Sequence, residues 1–255
     1  MIPKTIHYCW FGGNSFPGLV KKCINTWKKH CRDYKIIEWN ENNFDISSAP
    51  LYVQQAYEAK KWAFVSDYVR LYALTTMGGI YMDTDVEVLK PLDIFLNNKA
   101  FSGFEYGEYI QTAIMGSEKK FPLFEEFLKY YDNAIFINED GTYNTKTNVQ
   151  ILTEILQNKG LVKNNAFQII DGVALYPSEY FCPKSYFDGT INRTEKTHVI
   201  HHFDATWFTE AMQKEKLARW ESKQKKAKKK ARRAKIKGVL IKVFGEKFYN
   251  KLRKK

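Results

Sequence analysis

Residues 56 to 77 constrain the fold more than any other part of this 255-residue chain. Phe64, Val65, Tyr68, Val69, Leu71, Tyr72 and Leu74 leave almost no polar side to a helix wound through them. A helix that is apolar nearly all round is buried. The pattern predicts one long helix from Ala56 to Met77. It stops at Gly78-Gly79, residues that tolerate positive φ at a helix end, and Ile80 to Leu89 then reads as a strand closed by Pro91. Upstream, Lys4 to Trp10 reads as a strand running into a Gly12-Gly13-Asn14 turn. Leu19 to Trp27 falls in a helix, and Tyr34 to Trp39 is a second strand closed by Asn40 to Asn43. Helical spacing recurs over Phe121 to Tyr131 and Asn148 to Gln157, with a late strand at Val199 to Phe203. The β-α-β-α-β order at the amino end predicts an α/β fold with a mixed or parallel sheet.

Two features of this region carry chemistry. In the run Ile80 to Glu87, strand alternation would put Tyr81, Asp83, Asp85 and Glu87 on one face and Ile80, Met82 and Val86 on the other. Carboxylates crowded at one strand end repel each other unless a cation neutralises them. Mg²⁺ or Mn²⁺ bridging to a phosphate would do so, since both favour oxygen ligands. The plainer reading is an edge strand with a solvated acidic face. The second feature lies inside the apolar helix, where Asp67 and Arg70 stand three residues apart on one face and are expected to be partly buried. Desolvation roughly cancels the attraction within a buried ion pair, so two readings compete. In one, Asp67 accepts hydrogen bonds from sugar hydroxyls while Arg70 holds a sugar or phosphate oxygen; in the other, the pair only pins the helix.

Charge is placed unevenly. The formal net charge is +12, yet Lys214 to Lys255 alone holds 19 Lys+Arg against 3 Asp+Glu, leaving 21 against 25 in the other 213 residues. The chain therefore divides into a mildly acidic body, residues 1–208, and a basic tail, residues 209–255. No internal repeat is visible, and the one low-complexity segment is Lys223 to Lys235. Within the tail Ile236, Val239, Leu240, Val243, Phe244, Phe248 and Leu252 recur at helical spacing, with Lys237, Lys242, Lys247 and Lys251 on other faces. An apolar face behind a polybasic run makes a two-signal peripheral anchor for an anionic membrane surface. A helix docked on the body, or a disordered charged end, is the alternative, and Gly238 and Gly245 favour it. Nucleic-acid binding through phosphate contacts is the rival use of such charge, but no aromatics interleave the run to stack bases. No nucleic-acid partner is expected.

Other classes are unsupported. Cys9, Cys23, Cys31 and Cys182 show no C-x-x-C spacing, which fits free thiols in a reducing compartment. No apolar run reaches about 18 residues, and Met1-Ile2-Pro3-Lys4 lacks the layout of a secretory signal. A cytoplasmic location, at the inner face of the cell membrane, is the resulting expectation. His7 and His30 read as structural or surface residues. There is no G-x-x-x-x-G-K-[ST] loop, G-x-S-x-G elbow or H-E-x-x-H pair.

Ile2-Pro3-Lys4-Thr5-Ile6-His7 with Trp10-Phe11-Gly12, Ser66-Asp67 with Arg70, and Gly78-Gly79-Ile80-Tyr81 running into Asp83-Thr84-Asp85 resemble the DXD-containing family-thirty-two glycosyltransferases. That family includes capsular-polysaccharide transferases and fungal initiating mannosyltransferases, and the glucosylating clostridial toxins look like distant relatives. The likeness continues through Tyr176 to Pro183 and His201 to Trp207. It covers about residues 1 to 208 and says nothing about the tail.

The resemblance implies a GT-A-like fold, with a mixed central sheet flanked by helices. It also implies transfer of a sugar from a nucleotide-diphosphate donor, UDP-linked, to a glycan or lipid-linked acceptor, with Mn²⁺ or Mg²⁺ as cofactor and retention of anomeric configuration. Trp10 matches the aromatic that stacks on the nucleotide base. Ser66, Asp67 and Arg70 match donor-sugar contacts, and Tyr81 a ribose or phosphate contact. Asp83 matches the first DXD carboxylate, reaching ribose and metal-bound water, and Asp85 the second, the direct metal ligand. His202, five residues before Trp207, takes the place of a further metal ligand, with His201 as its rival because adjacent strand residues face opposite ways. Trp207 resembles the tryptophan that reaches the leaving phosphate. Thr147-Asn148-Val149 departs from the Thr-Gly-Pro of many members, and Thr112 from a frequent asparagine, on the acceptor and donor-sugar sides. A catalytically silent sugar-nucleotide binder is the third reading.

Overall fold

In a computed structural model, residues 1–106, 108–204 and 210–244 are described. The chain divides into two units, Met1–Lys184 with Ile191–Trp207, and Ser185–Thr190 with Phe208–Lys255.

In the first unit the amino-terminal alternation of strand and helix is realised as β1 (Thr5–Cys9), α1 (Gly18–His30), β2 (Lys35–Trp39), α2 (Leu51–Glu58), α3 (Trp62–Met77) and β3 (Gly79–Met82). Strand β1 lies between β2 and β3, parallel to both. The chain continues through β4 (Val86–Val88), β5 (Ala100–Glu105), β6 (Tyr109–Ile110), β7 (Ile114–Ser117), α4 (Pro122–Lys129), α5 (Asn148–Asn158), β8 (Gln168–Ile170), β9 (Val173–Tyr176), α6 (Ser178–Phe181) and β10 (Val199–His201). The main sheet runs β2-β1-β3-β7-β5-β9-β8, with β6 on β5, and β10 pairs with β4 in a separate ribbon. Strand β7 is antiparallel to β3 and β5, while β9 is parallel to β5. The expected mixed sheet is present.

Alternation along the central strands sorts side chains into two cores. Ile6, Tyr8, Ile80 and Met82 pack with Val20 and Trp27 of α1, whereas Cys9 and Tyr81 pack with the α2–α5 side. His7 is buried in the wall between β1 and β3. Its Nε2 lies 2.8 Å from the Gly78 carbonyl, and the Trp39 indole N–H donates to its Nδ1 at 3.1 Å. Those partners fix the neutral tautomer protonated on Nε2, and burial lowers the pKa of the ring. Gly79 sits at φ +111, and a Cβ there would stand 2.6 Å from the Thr5 carbonyl. The helix-to-strand turn requires glycine for that close approach.

Two predicted elements are broken in the structure. The helix expected from Ala56 to Met77 is α2 and α3, separated at Ala59–Lys61. Lys60 takes φ 56, its N–H bonds the Tyr57 carbonyl, and the Lys61 N–H bonds that of Ala56. That pair of bonds is a Schellman stop with lysine where glycine is usual. The strand expected from Ile80 to Leu89 is β3 and β4, because Asp83-Thr84-Asp85 forms a turn in which the Val86 N–H bonds the Asp83 carbonyl at 3.0 Å. All four cysteines are free and buried.

The second unit is α7 (Glu210–Phe244) with the turn at 185–190. The Trp220 indole N–H donates to the Tyr186 carbonyl and the Gln224 amide to that of Asp188, both at 2.8 Å. Gly189 lies against the Trp220 ring, where a Cβ would come within 2.5 Å. The helical tail extends through residue 244. The predicted positions Phe248 and Leu252 lie outside the described residues. No helix among the described residues is long and apolar enough to cross a membrane.

Candidate active site

Parallel strands β1 and β3 end side by side, and ligands of open α/β sheets bind beyond such carboxyl ends. Trp10 follows β1 there and Asp83 follows β3. Trp10 is half-buried; its indole N–H donates to the Asn14 carbonyl, and its ring meets Phe16 edge-on at 4.9 Å.

Arg70, from the buried helix α3, organises the carboxylates. Its Nη2 lies 2.9 Å from Asp67 and 3.3 Å from Asp83, and its Nη1 donates to the Thr112 carbonyl and hydroxyl. The Nε donates to the Ser66 carbonyl, and the guanidinium lies over the Tyr81 ring at 4.6 Å. The Nε and Nη1 therefore have carbonyl and hydroxyl acceptors, and Nη2 stands at ion-pair distance from both carboxylates. Burial opposes its charge, but Asp83, Tyr81 and Asp67 hold the guanidinium protonated. The Tyr81 hydroxyl donates to Asp83 at 2.9 Å. Arg70, expected to meet a sugar or phosphate oxygen, here bridges Asp67 and Asp83. Burial pushes the Asp67 carboxyl up to about 6, against the pull of Arg70 and with repulsion from Asp83. Burial likewise raises Asp83, tempered by Arg70.

Two positions marked as departures are structural supports of this clamp. Thr112 accepts from Arg70. The Asn148 amide donates to the Asp67 carbonyl at 2.7 Å and accepts from the Tyr131 hydroxyl. Ser66 bonds its own helix, donating to the Trp62 carbonyl.

Asp85 lies across the turn. Its carboxylate accepts from the Asp204 N–H at 2.7 Å and stands 3.5 Å from His201 Nε2. Asp83, Asp85 and His201 offer ligand atoms within 4.8 Å of one another, and the buried His201 Nδ1 has no hydrogen-bond partner among the described residues. The set suits a divalent ion accepting oxygen and imidazole ligands, as Mn²⁺ and Mg²⁺ sites do. His202, preferred from the sequence as the metal ligand, points elsewhere: its Nε2 lies 2.8 Å from Glu87, which also pairs with Lys22. Adjacent residues at the end of β10 face opposite ways, so His201 rather than His202 stands beside Asp85. Burial lowers the His202 pKa, and despite burial Glu87 is held below its ordinary range by Lys22 and His202. Glu87 thus leaves the acidic cluster of which alternation in an unbroken strand would have made it part. Trp207 lies outside the described residues. Of Glu105 and Cys182, which also approach His201, Glu105 carried no signal in the sequence, and Cys182 lay in the Tyr176-to-Pro183 stretch of likeness without a role.

Known proteins resemble this chain over the same region. Residues 17–102, which hold Ser66, Asp67, Arg70 and the acidic turn, match the glycosyltransferase sugar-binding region containing a DXD motif. Over that stretch the chain is similar to the DXD-containing glycosyltransferases. An uncharacterized glycosyltransferase of Acanthamoeba polyphaga mimivirus is 27% identical over 225 residues, 79% of this chain and 85% of its own length. The initiation-specific alpha-1,6-mannosyltransferase of Candida albicans is 31% identical over 105 residues, 38% of this chain; the match spans only 27% of that protein. Among solved structures, the PaToxG glycosyltransferase superposes with a TM-score of 0.49 at 20% identity, covering 62% of this chain and 70% of that one. The matched residues 17–102 include the carboxyl end of β3 and helix α3.

Proposed function

We propose that this chain is a metal-dependent, retaining glycosyltransferase of GT-A-like architecture. It takes a sugar from a nucleoside diphosphate donor, UDP-linked as the sequence resemblance implies, to a glycan or lipid-linked acceptor in surface-polysaccharide synthesis. The observation that carries the reading is the Arg70 clamp. It fixes two carboxylates, Asp67 and Asp83, at the end of β3 while Asp85 faces His201. Holding several buried carboxylates in place is costly for a fold, and the arrangement presents acceptors for sugar hydroxyls next to a divalent-ion set. Trp10, half-buried beyond β1, offers a ring for the base. Asp83, Asp85 and His201 would hold the ion, which supplies positive charge where the departing diphosphate becomes negative. Asp67 orients donor hydroxyls, and Arg70 keeps both carboxylates aimed; the positional share of the rate comes from binding donor and acceptor in one cleft.

Peripheral attachment to an anionic leaflet through the basic tail belongs to the same proposal, and suits a lipid-linked acceptor reached from the cytoplasmic side. The test of the reaction is a panel of nucleotide sugars with Mn²⁺, read as nucleotide release. Release from one donor, abolished by chelator and restored by Mn²⁺ or Mg²⁺, is expected. Donor binding with no release from any sugar, with acceptors supplied, would leave only a silent binder.

A further inference from the structure

His201 also belongs to a set of donors that the proposed reaction leaves unused. The Glu105 carboxylate at the end of β5, the Cys182 thiol just past α6 and the His201 imidazole of β10 have ligand atoms all within 4.8 Å of one another. Glu105 and Cys182 are each 4% exposed, and the buried His201 Nδ1 has no hydrogen-bond partner among the described residues. An unpartnered buried polar atom is costly to a fold; Glu105 also shares a side-chain hydrogen bond with Tyr106 that a bound ion would compete with.

The two sets around His201 differ in chemistry. Asp83 and Asp85 add two carboxylates to the imidazole, a hard, oxygen-rich combination. Glu105 and Cys182 add one carboxylate and one sulfur, and thiolate with imidazole selects ions of the zinc kind over magnesium. We infer that Glu105, Cys182 and His201 form a second metal site, selective for thiophilic divalent ions, beside the acidic turn. On binding, the Cys182 thiol loses its proton to solvent and the thiolate gives a lone pair to the ion. Ligands at zinc-type bond lengths stand about 3.3–3.8 Å apart around a tetrahedral ion, so the side chains have roughly 1 Å to close. A neutral imidazole has one free lone pair, so His201 serves one ion at a time. An ion held by Cys182 therefore withdraws His201 from Asp83 and Asp85. That consequence, inhibition of transfer by zinc, rests on the proposed function; the site itself does not.

The experiment titrates the full-length chain, stripped with chelator and free of nucleotide sugar, with Co²⁺. Near-ultraviolet thiolate-to-cobalt absorption is followed, and Zn²⁺ is then added to displace the cobalt. The band should appear in the wild-type chain, vanish in Cys182→Ser and persist in Asp85→Asn. Glu105→Gln should weaken the Co²⁺ affinity by about tenfold or more. Absence of the band in the wild type, its survival in Cys182→Ser, or its loss in Asp85→Asn would overturn the site. If Cys182→Ser fails to fold by circular dichroism, Glu105→Gln decides: unchanged Co²⁺ affinity removes the site. A band with this mutational pattern in a chain that transfers no sugar would leave the site standing and remove the proposed reaction.

Discussion

Asp83 and Asp85 are two residues apart yet sit in different surroundings, and their variants should differ accordingly. Asp85 meets the backbone of Asp204 and the ring of His201, so Asp85→Asn should lower nucleotide release by on the order of a hundredfold or more with the fold intact. His201→Ala should raise the Mn²⁺ requirement while His202→Ala leaves it near wild type, because His202 is engaged with Glu87. Equal Mn²⁺ titrations for the two variants would remove His201 from the metal set. Asp67 makes a different prediction, about pH. Its carboxyl titrates near 6 in the fold against 3.8 ordinarily, chiefly through burial, with Arg70 and Asp83 as the charges it faces. The native state thus holds a proton that the unfolded chain releases between about pH 4 and 6. Stability contributed by the neutral carboxyl is lost as pH rises through about 6, by up to roughly 3 kcal/mol. Asp67→Asn, which cannot ionise, should flatten that fall in urea unfolding between pH 4.5 and 7. Parallel pH slopes for the two proteins would refute the assignment.

At the scale of elements, the stop between α2 and α3 is a clean test of local backbone cost. Lys60 is exposed and holds φ 56, a conformation that costs a non-glycine residue about 1 kcal/mol. Lys60→Gly should raise unfolding stability by about that amount and leave donor release unchanged; a loss of stability would mean that the lysine side chain holds the turn. The same residue shows why part of the fold was not legible. A stop built from Lys60-Lys61 carries no Gly or Pro to announce it, so apolar spacing ran on unbroken from Ala56. Likewise Asp83-Thr84-Asp85 keeps a strand-like alternation on paper, while the Val86 N–H bonds the Asp83 carbonyl and turns the chain. By contrast β1, β2 and the Gly78-Gly79 turn were readable, because alternation and positive φ leave marks in residue type. The Asp67, Arg70 and Asp83 grouping could be anticipated from helical spacing and the family resemblance. Its anchors Thr112 and Asn148 could not, since both reach the site from far along the chain through main-chain carbonyls.

For the molecule as a whole, the decisive question is what the excess positive charge does. Helix α7 runs unbroken from Glu210 to Phe244, and Ile236, Val239 and Val243, spaced three and four apart on one face, are 49%, 54% and 62% exposed. Upstream, Lys225, Lys226, Lys228, Lys229, Lys230, Arg232 and Arg233 form a dense basic run on the same helix. Each basic residue near an anionic leaflet contributes on the order of 1 kcal/mol, while an exposed apolar face adds insertion that salt does not screen. The two terms separate experimentally. The full chain should sediment with vesicles containing anionic lipid, bind less as salt rises, and bind weakly to neutral vesicles. A chain ending at Gln224 keeps the Trp220 and Gln224 bonds to the turn at 185–190; it should stay in the supernatant while releasing nucleotide from its donor in solution at the wild-type rate. Replacing Ile236, Val239 and Val243 with serine should leave a purely electrostatic attachment, detached at moderate salt. Equal sedimentation of the full and shortened chains would exclude the tail as an anchor. Tight binding to DNA with none to anionic vesicles would assign the charge to nucleic acid instead.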